Sequence, residues 1–201
     1  LAAFGYEVHR GLGTTGVVGQ LKKGRSQKSI GIRADMDALP ILEKTGLPYE
    51  STIPGKMHAC GHDGHTAILL CAAKYLAESV EFDGVLNLIF QPAEENEGGA
   101  LRMLEDGLFE KFPCDEVYAL HNSPGLPVGQ IGISEGPAMA SFDRATIKLR
   151  GRSAHGAMPH HGIDVMQCAA SIVLGLQSIV SREIDALKSA VITVGALQAG
   201  E

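Results

Sequence analysis

Eight consecutive residues, His58-Ala59-Cys60-Gly61-His62-Asp63-Gly64-His65, carry three imidazoles, one thiol and one carboxylate. That donor set suits borderline-soft divalent metals. Gly61 and Gly64 argue against a helix through the middle and for a loop. In an extended backbone, residues two apart face the same side, so Cys60 and His62 could address one ion together. A helical backbone would pair His58 with His62, or His62 with His65. A polar loop meeting solvent accounts for one histidine more readily than for this cluster.

Segments remote in sequence supply similar groups. Ser29 to Ala34, with β-branched Ile30 and Ile32, predicts a strand leading into Asp35-Met36-Asp37. Val85 to Phe90 is apolar on both faces and predicts a central buried strand that delivers Glu94-Glu95. Glu116 to Leu120 predicts a short strand ending in His121-Asn122. Groups just past strand ends are where open α/β sheets place their chemistry. Each signal alone has a plainer explanation: turn chemistry before Pro40 for Asp35 and Asp37, a surface Glu-Glu pair, a core histidine at 121. Beside a His/Cys cluster, one glutamate can ligate a metal and the other can deprotonate a water.

The remaining pattern is α/β. Leu1 to Tyr6 reads as a helix end stopped at Gly5, Thr15 to Leu21 as a strand, and Lys22 to Arg25 as a hairpin tip. Residues 42–56 read as a rim loop. Apolar residues at helical spacing predict helices over 66–77 and 100–108. Cys71 falls inside the first of these as ordinary core. After Gly136-Pro137-Ala138-Met139-Ala140, which reads as a hinge, Arg144 to Arg150 alternates cleanly and predicts a strand with one solvated face. A loop with His155, His160 and His161, an amphipathic helix over 164–180 and a strand over 189–197 follow. Two domains are expected, 1–137 and 138–201, the second an unfinished βαβ unit.

Composition excludes several classes. The net charge of −6 and the lack of a basic run argue against a nucleic-acid surface. No apolar run approaches the ~18 residues of a membrane span, and no signal peptide is visible. Cys60, Cys71, Cys114 and Cys168 are scattered without a CxxC, which fits a reduced, cytoplasmic setting.

Taken together, the motifs resemble the metal-dependent amidohydrolases that include hippurate hydrolase, N-acyl-amino-acid amidohydrolases and auxin-conjugate hydrolases, within the aminoacylase and carboxypeptidase group. The resemblance runs through residues 31–40, 57–67, 90–95, 120–122 and 151–160, in the family's order. It implies an α/β, zinc-peptidase-like catalytic domain with a mixed sheet flanked by helices. An α+β, ferredoxin-like lid and dimerisation domain would follow, both incomplete here. It implies two divalent ions per site, zinc favoured by the thiolate, with manganese, cobalt or nickel also accepted. Cys60, His62, Glu95 and His121 match the metal ligands and Glu94 the general base. Asp37 matches an acid that orients a ligand. His155 matches a lid histidine that reaches a dimer partner's site to stabilise the oxyanion, and Asn122 is a candidate substrate contact. His58 and His65 are left as structural or supporting residues. The family's later ligand histidine has no counterpart before Glu201, so a fragment is expected.

The implied reaction is hydrolysis of N-acyl amino acids, hippurate-like or N-acetyl, to an acid and a free amino acid. N-acetyl-diaminopimelate deacetylation and dipeptide or carboxypeptidase activity are the alternatives within the group. A different enzyme class would use Cys60 as a nucleophile with a histidine base, leaving Glu94, Glu95 and His121 idle. A non-enzyme reading is an inactive, truncated dimerising module.

Overall fold

The apolar run at 85–90 predicts a central strand, and the computed structural model, which describes residues 1–95 and 98–199, places it at the middle of a five-stranded sheet. The strands are β1 (Glu7–Leu12), β2 (Gly16–Lys23), β3 (Ser29–Asp35), β4 (Gly84–Gln91) and β5 (Glu116–Ala119), in the order β1-β2-β4-β3-β5. β1 and β2 pair antiparallel, as do β2 and β4; β3 pairs parallel with both β4 and β5. The helices are α1 (His62–Ser79), α2 (Gly99–Glu105), α3 (Leu108–Lys111) and α4 (Val165–Arg182).

β4 shows why the sheet needs helices on both faces. Leu86, Leu88 and Phe90 pack with Leu69 and Ala73 of α1, Tyr6 and Ala34. Ile89 points the other way, into a cluster with Leu12, Val18, Met103, Leu108 and Phe112. Alternation along one strand thus feeds two cores. Buried Asn87 is satisfied: Gln20 donates to its Oδ1 at 2.8 Å and its Nδ2 donates to the Pro113 carbonyl at 3.0 Å. On the α1 face, the Tyr6 hydroxyl donates to the Ala73 carbonyl at 3.0 Å.

Several expectations need correction. The loop reading of the His/Cys cluster holds through Gly61 and fails from His62, where α1 begins. Gly64 costs a helix about 1 kcal/mol against alanine, and burial of Leu69 and Ala73 against the sheet outweighs that. Lys22 to Arg25 is not a hairpin tip, because β4 lies between β2 and β3. The turn is held from outside: Asp83 accepts from the N–H groups of Arg25 and Ser26 at 2.6 and 2.7 Å. Lys23 Nζ donates to the carbonyls of Leu76, Ala77 and Val80 and so closes the C-terminus of α1. β1 is an additional strand that the sequence pattern did not show.

The chain divides into two compact units, Leu1–Gly132 and Ile133–Glu201. In the second, α4 starts at Asp164, whose carboxylate accepts from the N–H groups of Met166 and Gln167. The strands expected over 144–150 and 189–197 are absent among the described residues; the pairing seen in this unit is one antiparallel bridge, Arg152 to Ile163. Alternation prepares a face, but a strand also needs a neighbour to take its N–H and C=O groups. By length and composition α4 could cross a membrane, unlike the sequence expectation. Its polar residues Gln167, Ser171, Ser178 and Arg182 nevertheless share one side, opposite Ala169, Ile172, Val173 and Leu176.

Candidate metal centre

Because β3, β4 and β5 run parallel, their C-terminal ends share one edge of the sheet. Asp37 follows the end of β3, Glu94 and Glu95 follow β4, and His121 follows β5. The N-terminus of α1 enters the same edge and brings Cys60, His62 and His65. Thr66 Oγ1 donates to the Asp35 carbonyl at 3.0 Å and ties α1 to β3.

Two backbone features allow these segments to meet. Gly61 caps α1 at φ 84°, and a Cβ there would lie 2.6 Å from Asn122 Oδ1. Gly99 passes the Pro92 carbonyl so closely that a Cβ would lie 1.7 Å from its oxygen. Ala93 adopts φ 50°, a left-handed conformation disfavoured for a residue with a Cβ, immediately before the two glutamates.

Cys60 Sγ, a ring nitrogen of His62 and a carboxylate oxygen of Glu95 all lie within 4.8 Å of one another. Cys60 Sγ is 3.5 Å from His121 Nε2. His62 Nε2 is 3.9 Å from Glu95 Oε1 and 3.9 Å from Glu94 Oε2. Ligands bonded tetrahedrally to zinc at 2.0–2.3 Å would sit about 3.3–3.8 Å apart, so these separations suit a shared cation. His62 Nε2 and Glu95 Oε1 are moreover buried with no hydrogen-bond partner. Leaving such atoms unpaired is costly, and a cation between them removes that cost. His62 Nδ1 faces Asp37 Oδ1 at 3.1 Å, which turns Nε2 toward the gap. A second group, Asp35, His62, His65 and His121, is also close-set. Asp35 and His65, however, are already bonded to one another at 2.6 Å.

The electrostatics are one-sided. Burial pushes the Cys60 thiol up to about 11, helped by its hydrogen bond to Glu95 and by the charges of Glu95, Glu94 and Asp35. Burial also opposes ionisation of Asp37, but the N–H groups of Glu95, Glu94 and Asp37 itself, with the His62 ring, outweigh it. They hold that carboxyl below its ordinary value. The Glu95 N–H donates to Asp37 Oδ2 at 3.1 Å. Carboxylates crowd a thiol here, and a bound cation would reverse the balance.

Residues 31–193 match the model of peptidase family M20/M25/M40. The chain belongs to that family. It is 54% identical over 200 residues to hippurate hydrolase of Campylobacter jejuni, covering 100% of this chain and 52% of the relative. It is 46% identical over 187 residues to N-acetyl-L-cysteine deacetylase of Bacillus subtilis, covering 92% and 44%. Among solved structures it resembles the YXEP protein of Bacillus subtilis, a dinuclear metal binding peptidase of the M20 family. That match has a TM-score of 0.63 and 43% identity over 68% of this chain and 38% of the other. The M20 chain thus spans about half the length of the curated relatives it matches.

Within this M20 chain, Cys60, His62, Glu94, Glu95, His121 and Asp37 come together at one sheet edge. Asn122 is there too, with its side chain against His65 and Gly61. His155 lies in the other compact unit, exposed, its Nδ1 accepting from the Ala157 N–H at 3.1 Å. His58 is exposed. Sequence reasoning gave Asp35 and His65 little weight, yet both are almost fully buried in the centre. The available signal was the three-residue spacing of His62 and His65, which puts both on one face once the backbone is helical.

Proposed function

We propose that the whole protein hydrolyses the amide bond of N-acyl amino acids, releasing a carboxylic acid and a free amino acid. The observation that carries this is the pair of buried atoms without a hydrogen-bond partner, His62 Nε2 and Glu95 Oε1, beside Cys60, His121 and a second glutamate. Cys60, His62, Glu95 and His121 would hold divalent metal, two ions in the full site, with zinc the best fit to a thiolate among candidates that include manganese, cobalt and nickel. When bound, the metal supplies Lewis acidity at the acyl carbonyl and acidifies water.

The chain's own groups do the rest. Glu94 removes a proton from the attacking water as its oxygen adds to the acyl carbon. Glu94 then gives that proton to the leaving nitrogen as the C–N bond breaks. Asp37 keeps the His62 ring turned toward the gap. The reading extends to a catalytic domain over 1–137 and an α+β lid and dimerisation domain over 138–201. The lid's His155 would steady the developing oxyanion in a partner's site. A substrate of hippurate or N-acetyl type is supported by the names of the relatives. A cytoplasmic setting is supported by four cysteines, all free.

The test is elemental analysis of the purified full-length protein and its Glu95→Ala variant, with hydrolysis assayed on hippurate and N-acetyl amino acids. About two ions per chain, fewer in the variant, and chelator-sensitive hydrolysis are expected. Activity that survives complete metal removal overturns the reading. The competing cysteine-nucleophile mechanism is disfavoured by the Cys60 thiol itself, which is pushed up to about 11 where a nucleophile needs the thiolate. Alkylation mapped by mass spectrometry on metal-free protein should mark Cys71, which is exposed on α1 and not in the core as expected, and exposed Cys168 well before Cys60.

A further inference from the structure

We propose that Asp35 and His65 form a positioning pair that fixes the Asn122 backbone and, through the Asn122 carbonyl, the tautomer of His121. The significance of His121 rests on the metal reading above; the pair itself stands on hydrogen bonds within the chain.

The direction of each bond follows from what each atom can do. The Asn122 N–H lies 2.9 Å from His65 Nε2, and an N–H can only donate. Nε2 of His65 therefore holds the lone pair, and Nδ1 carries the proton. That proton points at Asp35 Oδ1, 2.6 Å away. Asp35 Oδ2 is held in turn by Arg33 at 2.8 Å, and Arg33 Nε donates to Gln91 Oε1 at 2.8 Å. The pair is thus anchored on two central strands. On the other side, the Asn122 carbonyl accepts from His121 Nδ1 at 2.8 Å. A carbonyl can only accept, so His121 carries its proton on Nδ1 and presents the Nε2 lone pair, 3.5 Å from Cys60 Sγ. The structure places Asn122 Oδ1 2.8 Å from the same His65 nitrogen. Two acceptors cannot bond, so a lone pair on Nε2 requires the NH2 end of the amide there instead, which a half-turn of the amide supplies.

Such a device has a reason to exist. β5 is a four-residue strand at the sheet edge, exposed throughout, and His121 and Asn122 beyond it are exposed as well. His65, 2% exposed, ties the Asn122 backbone to the buried face of α1. A ring that presents the wrong nitrogen offers a proton where a lone pair is needed. Residues behind the ligands typically change metal affinity about 10–100-fold when removed.

Two variants of the full-length protein separate this from simple packing. His65→Asn places an amide where Nδ1 lies and keeps the donor to Asp35, but loses the acceptor for Asn122. His65→Gln places an amide oxygen where Nε2 lies and keeps that acceptor. Cobalt(II) affinity by chelator competition and the visible spectrum of the cobalt protein are the readouts. Cobalt binding about 10–100-fold weaker with an altered spectrum is expected for His65→Asn, and recovery of most of both for His65→Gln. Equal losses in the two variants, or none in His65→Asn, overturn the proposal while the metal reading stands. Failure of the parent protein to bind cobalt overturns the metal reading and the proposal with it. Should neither variant fold, imidazole nitrogen NMR of the metal-free parent decides: His65 and His121 must both be protonated at Nδ1, and an Nε2–H on either ring overturns the pairing.

Discussion

The Arg33–Asp35–His65 cluster and the Cys60–His62–Glu95 cluster lie side by side under the N-terminus of α1, built from similar residue types. The first is closed: the Asp35 carboxylate has a partner on each oxygen, and His65 has one on each nitrogen. The second is open: His62 Nε2 and Glu95 Oε1 are buried and unpartnered. Burial alone therefore does not mark a reactive site. A closed network rigidifies, whereas an open one is held ready for something from outside. The two clusters are tied together, because α1 carries His62 and His65 a helical turn apart.

Four experiments would break or sharpen that contrast. Replacing the candidate base, Glu94→Gln, should lower kcat/KM for the proposed hydrolysis by the full-length protein about 100- to 10,000-fold while metal content stays near that of the parent; a loss of metal instead would move Glu94 among the ligands. Asp35→Ala removes one partner of a buried ion pair and leaves Arg33 and His65 uncompensated. A loss of about 3–5 kcal/mol in denaturant unfolding is expected, and a loss below 1 kcal/mol would mean that the closed cluster is not closed. Gly61→Ala forces a Cβ into the left-handed region and against the Asn122 side chain. It should cost about 1–3 kcal/mol and weaken metal binding together with stability.

The smallest effect concerns pH. Asp37 is held below its ordinary value of 3.8 in the folded protein. A depressed carboxyl contributes stability that is fully present above the unfolded value and is lost as pH falls through the folded one. The parent should therefore lose more stability than Asp37→Asn on acidification below about pH 4. Unfolding midpoints taken at steps of pH would show this, and parallel acid profiles would remove the Asp37 contacts from the account.

Much of the fold was legible because local pattern and tertiary environment agree. The continuous apolar run at 85–90 could only be a buried element, and short length with β-branching made it a strand. The sequence expectation that Cys60, His62, Glu95 and His121 belong together rested on a mix of residue types that few other roles need, and the structure brings these four side chains close. Other features were hidden by competition between local and long-range terms. Gly64 reads as a helix breaker, yet the helix forms through it because its apolar face is buried beyond. Arg144 to Arg150 has strand alternation, yet no ladder forms among the described residues. The Asp35–His65 pair was missed because a histidine three residues into a helix looks the same in sequence whether it meets solvent or a carboxylate.

The sequence by itself determined which chemical groups are present and which strand ends carry them, since residue identity and periodicity are local properties. Only the tertiary structure decided how the nitrogens of His62 and His65 are used, because that depends on partners 25 to 57 residues away. The same holds for the open and closed halves of the centre. Whether a buried polar atom is satisfied is settled by packing between β3, β4, β5 and α1, and no single segment contains that information.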